Sequence, residues 1–126
     1  MAQVKSGSAL EEKIAKVRES YEAYERGDYA AAKEGYTEDA VFHSQLRERD
    51  FKGRDAMFGE ADAQRAEFKP EYRVHDVCAG DGHAVVLMEV TQEVAGQRKS
   101  GRLVHVLHLD DAGKIKEVWA VFNPQG

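Results

Sequence analysis

The C-terminal half of the chain alternates between apolar and polar side chains, and this pattern constrains the fold more than any other feature. Four segments carry it: EYRVHDVCA, HAVVLMEVTQEV, RKSGRLVHVLHL and KIKEVWAVF. A period of two is typical of β-strands, whose successive side chains point to opposite faces. The connections GDG, AGQ and DDAG are short and consist largely of turn-forming residues. The pattern therefore predicts a meander of long antiparallel strands.

The N-terminal half has helical periodicity instead. The first helix is marked by apolar residues three or four positions apart: Leu10, Ile14, Val17, Tyr21 and Tyr24. Ser8 and Glu11 form a capping box at its start, and Gly27 ends it. Two further helices are predicted over YAAAKEGY and residues 55–68, with a strand AVFHSQ and a charged loop LRERD between them. Helices followed by a strand meander predict an α+β fold with three helices on one face of a curved sheet.

Length and cysteine content predict a single intracellular domain. The chain has 126 residues, of which 42% are hydrophobic, and we find no repeat or linker in it. We therefore assign one domain to residues 9–126, after a flexible leader over residues 1–8. The single cysteine, Cys78, excludes an internal disulfide and predicts a cytoplasmic protein. Because Cys78 lies in an apolar run, we expect it to be a core residue.

Charge and motif content argue against several classes of partner. The net charge of −5 argues against nucleic acid, which binds basic surfaces. No apolar run approaches the roughly 20 residues of a membrane-spanning helix, so we expect no membrane partner. The sequence contains no His-x-His pair, no Cys-His cluster and no glycine-rich phosphate loop. It therefore predicts neither a metal nor a cofactor.

The two central strands are apolar on both faces. In HAVVLMEV and in LVHVLHL, both alternating sets of side chains are hydrophobic. A sheet covered on one face by three helices needs only one apolar face, so the second set requires another cover. The pattern predicts a homodimer that forms through the outer face of the sheet.

The resemblance to a known family covers residues 9–123. The stretches YERGDYAAAKEGYTEDAVFHS, FKGRDAMFGEADAQRAEF and GKIKEVWAVF resemble the SnoaL-like branch of the nuclear transport factor 2-like (ketosteroid isomerase-like) superfamily. The resemblance implies a cone-shaped roll, in which three N-terminal helices pack on a strongly curved antiparallel or mixed sheet and enclose a pocket. The superfamily includes isomerases, dehydratases, epoxide hydrolases, polyketide cyclases and binding proteins without catalysis, so the resemblance does not select a reaction.

Comparison with the ketosteroid isomerases of the superfamily tests one reaction. The oxyanion-hole tyrosine of those enzymes falls on Ser20, their general-base aspartate on Ser44, and their second oxyanion donor on His105. None of these groups is retained, and the reaction needs both a base and an acid. We therefore expect no isomerisation of ketosteroids. Tyr24 remains as a candidate hydroxyl donor one helical turn on, and His43 as a candidate beside Ser44.

His105 is an ionisable ring in an otherwise apolar row of a central strand. If it faces the pocket, desolvation keeps the imidazole neutral, so that one nitrogen donates and the other accepts a hydrogen bond. Such a ring suits a general base or a ligand anchor, whereas the alternative is a structural histidine tied to a tyrosine or a carbonyl. The residues predicted to line the pocket around it are Val86, Met88, Val90, Leu103, Leu107, Val118, Ala120 and Phe122.

Two functions stay open at this point. The first is a cofactor-independent acid–base enzyme of the isomerase, cyclase, dehydratase or hydrolase type, acting on a small hydrophobic molecule. Its candidate catalytic residues are His105, Tyr24, His43 and Ser44, although strand parity directs His43 away from the pocket unless the strand is bulged. The second is a non-catalytic domain of the same fold that binds a hydrophobic ligand or only dimerises. A cavity with convergent polar groups would favour the enzyme.

Overall fold

The chain forms three helices and a six-stranded sheet, in the predicted order except for one additional short strand. The computed structural model describes the backbone of residues 2–124 and the side chains of residues 9–121. The helices are α1 (Ala2–Glu25), α2 (Tyr29–Glu34) and α3 (Arg54–Phe68). The strands are β1 (Tyr36–Ser44), β2 (Arg49–Lys52), β3 (Glu71–Ala79), β4 (His83–Val94), β5 (Gln97–Leu109) and β6 (Ile115–Pro124). The predicted α+β class is confirmed.

Two boundaries differ from the sequence prediction. The first helix begins at Ala2, so Ser8 lies inside it rather than at its N-terminus. The flexible leader over residues 1–8 stays a prediction, since the side chains there lie outside the described residues. The charged stretch LRERD ends in the strand β2, which pairs antiparallel with β1 through Phe51 and Phe42. We had expected only a loop there, because a four-residue strand of mostly charged residues has no clear period.

The sheet is mixed and curved. Its strand order is β2-β1-β6-β5-β4-β3, and β1 runs parallel to β6 while every other pair is antiparallel. Register shifts interrupt the pairing of β1 with β6, of β3 with β4 and of β5 with β6. Such irregularities increase the local twist and bend a strand, which lets the sheet wrap around one side of the helices.

The irregularity in β3 corrects the prediction for Cys78. Val74 pairs with Met88 and Asp76 pairs with Leu87, so His75 is an extra residue that shifts the parity of the strand. As a result Val77 is buried and Cys78 is exposed, not part of the core. A bulge leaves no mark in the alternation of EYRVHDVCA, where either parity places apolar residues inside.

The core lies between the helices and the inner face of the sheet. Its buried members include Val17, Tyr21, Tyr36, Ala40, Met57, Val86, Leu107, Ile115 and Val118. No helix in the described part of the chain is long and apolar enough to cross a membrane.

A close approach between α1 and the end of α2 fixes the orientation of α1. The hydroxyl of the buried Ser20 donates to the Ala32 carbonyl oxygen, 2.7 Å away. A Cβ on Gly35 would lie 2.6 Å from the Ser20 Cβ, so only glycine fits at this position. Asp28 caps the N-terminus of α2, because its carboxylate accepts the Ala31 N–H at 3.2 Å. This junction holds the next residue, Tyr21, over the sheet.

Candidate functional site

A cavity of about 400 Å³ lies between the inner face of the sheet and helices α1 and α3. Its volume is in the range of small-molecule pockets, roughly 300–1,000 Å³. Five of the residues predicted to line it do so: Met88, Val90, Leu103, Val118 and Ala120. Val86 and Leu107 are not at its surface, because both are fully buried in the adjacent core. The side chain of Phe122 lies outside the described residues.

His105 faces this cavity from the middle of β5. Its Nδ1 atom is 2.7 Å from the hydroxyl oxygen of Tyr21, and the two rings meet edge to face at 5.5 Å. Part of the ring remains open to the cavity. Burial lowers the pKa of His105 from 6.5 to about 4, because an apolar environment disfavours the charged imidazolium. His105 is therefore neutral at pH 7.

Tyr21 is neutral as well. Burial raises its pKa well above the usual value, and the neighbouring Tyr36 raises it further. The contact between Tyr21 and His105 is thus a hydrogen bond between two uncharged groups. Whichever of them donates, the Nε2 atom of His105 is left to make a hydrogen bond with a ligand.

Tyr24 lines the cavity, but its hydroxyl binds Arg65 and not His105. Its hydroxyl accepts a hydrogen bond of 2.6 Å from Arg65 Nη1, and the Arg65 guanidinium lies 3.9 Å from the centre of the Tyr29 ring. Burial raises the pKa of Tyr24 in spite of the guanidinium. The partner of His105 is Tyr21, which the sequence comparison placed only beside the aligned position. The helical spacing of Val17, Tyr21 and Tyr24 could have identified it.

Ser44 and Ser20 both line the cavity as local structural groups. The Ser44 hydroxyl oxygen accepts the backbone N–H of Arg47 at 3.0 Å and so closes the turn after β1. Ser20 binds the Ala32 carbonyl. Neither serine has a hydrogen bond to a histidine or carboxylate in the described part of the chain, so neither is activated as a nucleophile.

His43 lies on the outer face of the sheet, as strand parity predicts. Its Nδ1 is 2.8 Å from Asp50 and its Nε2 is 2.6 Å from Glu117, while its ring stacks on Trp119. Two carboxylates on one ring require both nitrogens to be protonated. The hydrogen bond to Glu117, followed by that to Asp50, accordingly raises the pKa of His43. His43, Asp50 and Trp119 border a separate open depression of about 360 Å³, so the structure does not bring His43 together with His105.

Among the cavity residues that sequence reasoning missed, one is acidic. Glu60 on α3 is only 8% exposed and lies in the cavity wall, with Gln64 one turn away on the same face. Met57, Ala61 and Phe68 flank them on that face. The spacing of Met57, Glu60, Ala61 and Gln64 is helical, so an acidic residue on an apolar face could have been noticed.

No metal centre is built into the described residues. They contain no group of three or more histidine, cysteine, aspartate or glutamate side chains placed to hold an ion.

The fold and the cavity define a small-molecule pocket protein of the nuclear transport factor 2-like type. A profile of the SnoaL-like domain matches residues 17–118, so the chain belongs to the SnoaL-like family. No match was found among curated proteins.

Three solved structures illustrate the likeness in fold, each at low sequence identity. Bal32a, from a soil-derived mobile gene cassette, is 24% identical over 90% of this chain and 91% of its own, with a TM-score of 0.79. A proposed polyketide cyclase from Xanthomonas campestris pv. campestris is 20% identical over 91% of this chain and 93% of its own, also at 0.79. AclR, a proposed hydroxylase from Streptomyces galilaeus, is 24% identical over 90% of each chain at 0.71.

Proposed function

We propose that this protein is an enzyme that binds a small apolar molecule in the cavity. His105 removes a proton from one atom of this molecule and returns it to another. The observation that carries the proposal is the 2.7 Å contact between Tyr21 and His105 Nδ1 inside an apolar cavity of about 400 Å³. The proposal requires the tautomer in which the Nδ1–H of His105 donates to the Tyr21 oxygen, because only then does Nε2 hold the lone pair that accepts a proton from the ligand.

The low pKa of His105 favours a particular kind of reaction. A base whose pKa is about 4 holds an abstracted proton weakly, and its imidazolium is a strong acid. It therefore suits a reaction in which the proton returns to another atom of the same substrate, as in an isomerisation or an intramolecular cyclisation. The likeness in fold to a proposed polyketide cyclase is consistent with this class. Proton transfer of this kind uses only side chains of the protein, so the proposal invokes no cofactor.

A non-catalytic binding protein is the second candidate. One observation favours it: the Tyr21 hydroxyl is the hydrogen-bond partner of His105 Nδ1, and such a bond would also be expected of a histidine with a purely structural role. In that case the cavity would bind the same class of molecule, and Nε2 of His105 would only anchor it. The two candidates predict the same binding and differ in proton transfer.

The outer face of the sheet supports a homodimer. Two apolar rows cross β4, β5 and β6 on that face: Leu87, Val104 and Val121 in one, and Val85, Val106 and Trp119 in the other. Val121 is 47% exposed in the single chain. A second copy of the chain packed on these rows would remove this apolar surface from water. A cytoplasmic location, inferred from the single cysteine, stays a prediction.

Hydrogen–deuterium exchange on a simple ketone separates the two candidates. 2-Tetralone is a small, uncharged bicyclic ketone with acidic α-hydrogens, and NMR in D₂O follows their replacement by deuterium. We expect the protein to accelerate exchange by at least about tenfold over the His105→Leu variant, since a positioned base typically contributes 10²–10⁴-fold. His75→Leu is the matched control, because His75 is an exposed histidine on β3.

The outcomes of this experiment are distinct. Binding of 2-tetralone without His105-dependent exchange would support the non-catalytic candidate. Absence of binding, measured by calorimetry and by native mass spectrometry, would contradict both.

A further inference from the structure

The charge inventory of the cavity wall points to the class of ligand. Among the described residues that line the cavity, Glu60 is the one charged side chain, since His105 is neutral and the wall holds no lysine or arginine. A carboxylate in an apolar wall is costly unless it is paired and hydrogen-bonded. The position of Glu60 in the cavity wall, rather than on the solvent-facing side of α3, therefore points to a role in binding the ligand.

The pairing of Glu60 uses only one of its two oxygens. Oε2 accepts a hydrogen bond of 2.8 Å from Arg47 Nε and another of 2.7 Å from Gln64 Nε2. Oε1 has no hydrogen bond to any described residue. Oε1 is also not fully enclosed by protein. Among the described residues, the one fully buried side-chain oxygen or nitrogen without a partner is Thr37 Oγ1, so Oε1 must retain some accessible surface. Oε1 is thus a free acceptor on a side chain that is more than nine-tenths buried.

The charged side chains around this acceptor add up to a net negative charge. Arg47, which neutralises Glu60, also donates to Glu67 at 2.9 Å. One guanidinium therefore serves two carboxylates, and the group of Arg47, Glu60 and Glu67 carries a net negative charge. Such a group attracts a hydrogen-bond donor or a cation and repels a carboxylate or a phosphate.

We infer that Glu60 Oε1 is a second anchoring point of the cavity and selects ligands that carry a hydroxyl or amine group on an apolar frame. This inference rests on the proposed function and names its substrate class: an uncharged or cationic molecule, not an anion. The ligand spans from His105 on β5 to Glu60 on α3, with its reacting end at the histidine and its donor group at the carboxylate. Gln64 is a positioning residue that holds Oε2 and leaves Oε1 free.

Three naphthalene derivatives test this selectivity on the wild-type protein. 2-Naphthol can donate a hydrogen bond, 2-methoxynaphthalene can only accept one, and 2-naphthoate is an anion. We expect calorimetry at pH 7 to give a dissociation constant for 2-naphthol at least about tenfold below that for 2-methoxynaphthalene, which is the usual worth of a hydrogen bond to a charged group. 2-Naphthoate should bind more weakly than both.

The variant Glu60→Gln removes the charge and keeps the size of the side chain. We expect it to lose the preference for 2-naphthol. Glu67→Gln is the matched control, since it makes the same change on the other, exposed partner of Arg47 and lies outside the cavity wall. It should keep the preference for 2-naphthol over 2-methoxynaphthalene, because Glu60 Oε1 is unchanged, whereas its discrimination against 2-naphthoate should weaken.

The results separate this inference from the proposed function. Equal binding of 2-naphthol and 2-naphthoate by the wild type would overturn the role of Glu60, whether or not the variants fold. A preference that survives Glu60→Gln but disappears in His105→Leu would assign the donor to the histidine and also overturn it. Both of these results leave the proposed function standing. If none of the three compounds binds, the proposed function fails and this inference fails with it.

Discussion

The Tyr21 hydroxyl lies 2.7 Å from Nδ1 of His105, and this contact joins α1 to the inner face of β5. The two residues are 84 positions apart in the chain, and packing and strand pairing position both of them. The junction of Ser20 with Gly35 sets the position of Tyr21, while the pairing of β5 with β4 and β6 sets that of His105. The candidate active site is thus supported by rigid elements on both sides.

Removing the Tyr21 hydroxyl should destabilise the protein and release the His105 ring. In Tyr21→Phe the buried Nδ1 atom loses its partner, which costs about 1–3 kcal/mol of unfolding free energy. Urea unfolding measures this loss. Tyr24→Phe is the control, because its hydroxyl binds Arg65 and not His105. Both variants lose a hydroxyl, but only Tyr21→Phe should reduce His105-dependent exchange on 2-tetralone. Equal exchange rates in the two variants would contradict a role for Tyr21.

The stability of the protein should fall as the pH drops below 6.5, and His105 should account for part of the fall. The pKa of His105 is about 4 in the folded chain and 6.5 ordinarily, so between these values the unfolded chain binds the extra proton. The stabilisation is fully present above pH 6.5 and is lost as the pH falls through the folded pKa, by about 3 kcal/mol in all. Urea unfolding of wild type and His105→Leu at pH 7 and pH 4.5 measures it. The His75→Leu variant should lose as much unfolding free energy between pH 7 and pH 4.5 as the wild type does. If His105→Leu also loses the same amount, His105 is not a buried neutral ring.

Two glycine substitutions should change stability in opposite directions. Gly35→Ala places a Cβ 2.6 Å from the Ser20 Cβ, so one helix must move and the melting temperature should fall by several degrees. Gly59 lies inside α3 with nothing within 4 Å of the added Cβ. Gly59→Ala should therefore stabilise the protein by roughly 0.5–1 kcal/mol, because alanine favours the helix. Thermal melts that rank Gly35→Ala at or above the wild type would show that the α1–α2 junction is loose.

The proposed homodimer should dissociate when a charge enters its apolar rows. Val104 lies between Leu87 and Val121 on the outer face, so Val104→Glu should yield monomers in sedimentation experiments at micromolar concentration. Ala63→Glu is the control on the exposed side of α3. A wild-type protein that sediments as a monomer would disprove the dimer.

The sequence predicts those features that depend on periodicity. The long strands, the three helices and the inward direction of Leu103 and His105 all follow from alternation or helical spacing. The position of Cys78 could not be predicted, because it depends on one extra residue, His75, in an otherwise regular strand. A bulge costs little and leaves the hydrophobic pattern intact, so only the paired strand reveals it.

The site was harder to predict than the fold. Alignment to a remote family placed the tyrosine position on Ser20, one residue from Tyr21, the hydrogen-bond partner of His105. Glu60 was missed for a different reason. Its burial depends on Arg47, which comes from the turn after β1, and such a tertiary ion pair has no local sequence signal.

The titration of His105 tests the central claim most directly. Nitrogen-15 NMR of the imidazole rings reports the pKa of each histidine and which nitrogen carries the proton. We expect His105 to stay neutral at pH 7 and to titrate near pH 4, while His43, bound to Glu117 and Asp50, titrates above its ordinary 6.5 in the same sample. Addition of 2-tetralone should shift the Nε2 signal of His105 and leave that of His43 in place. A pKa of His105 at or above 6.5, with no response to the ketone, would contradict the account.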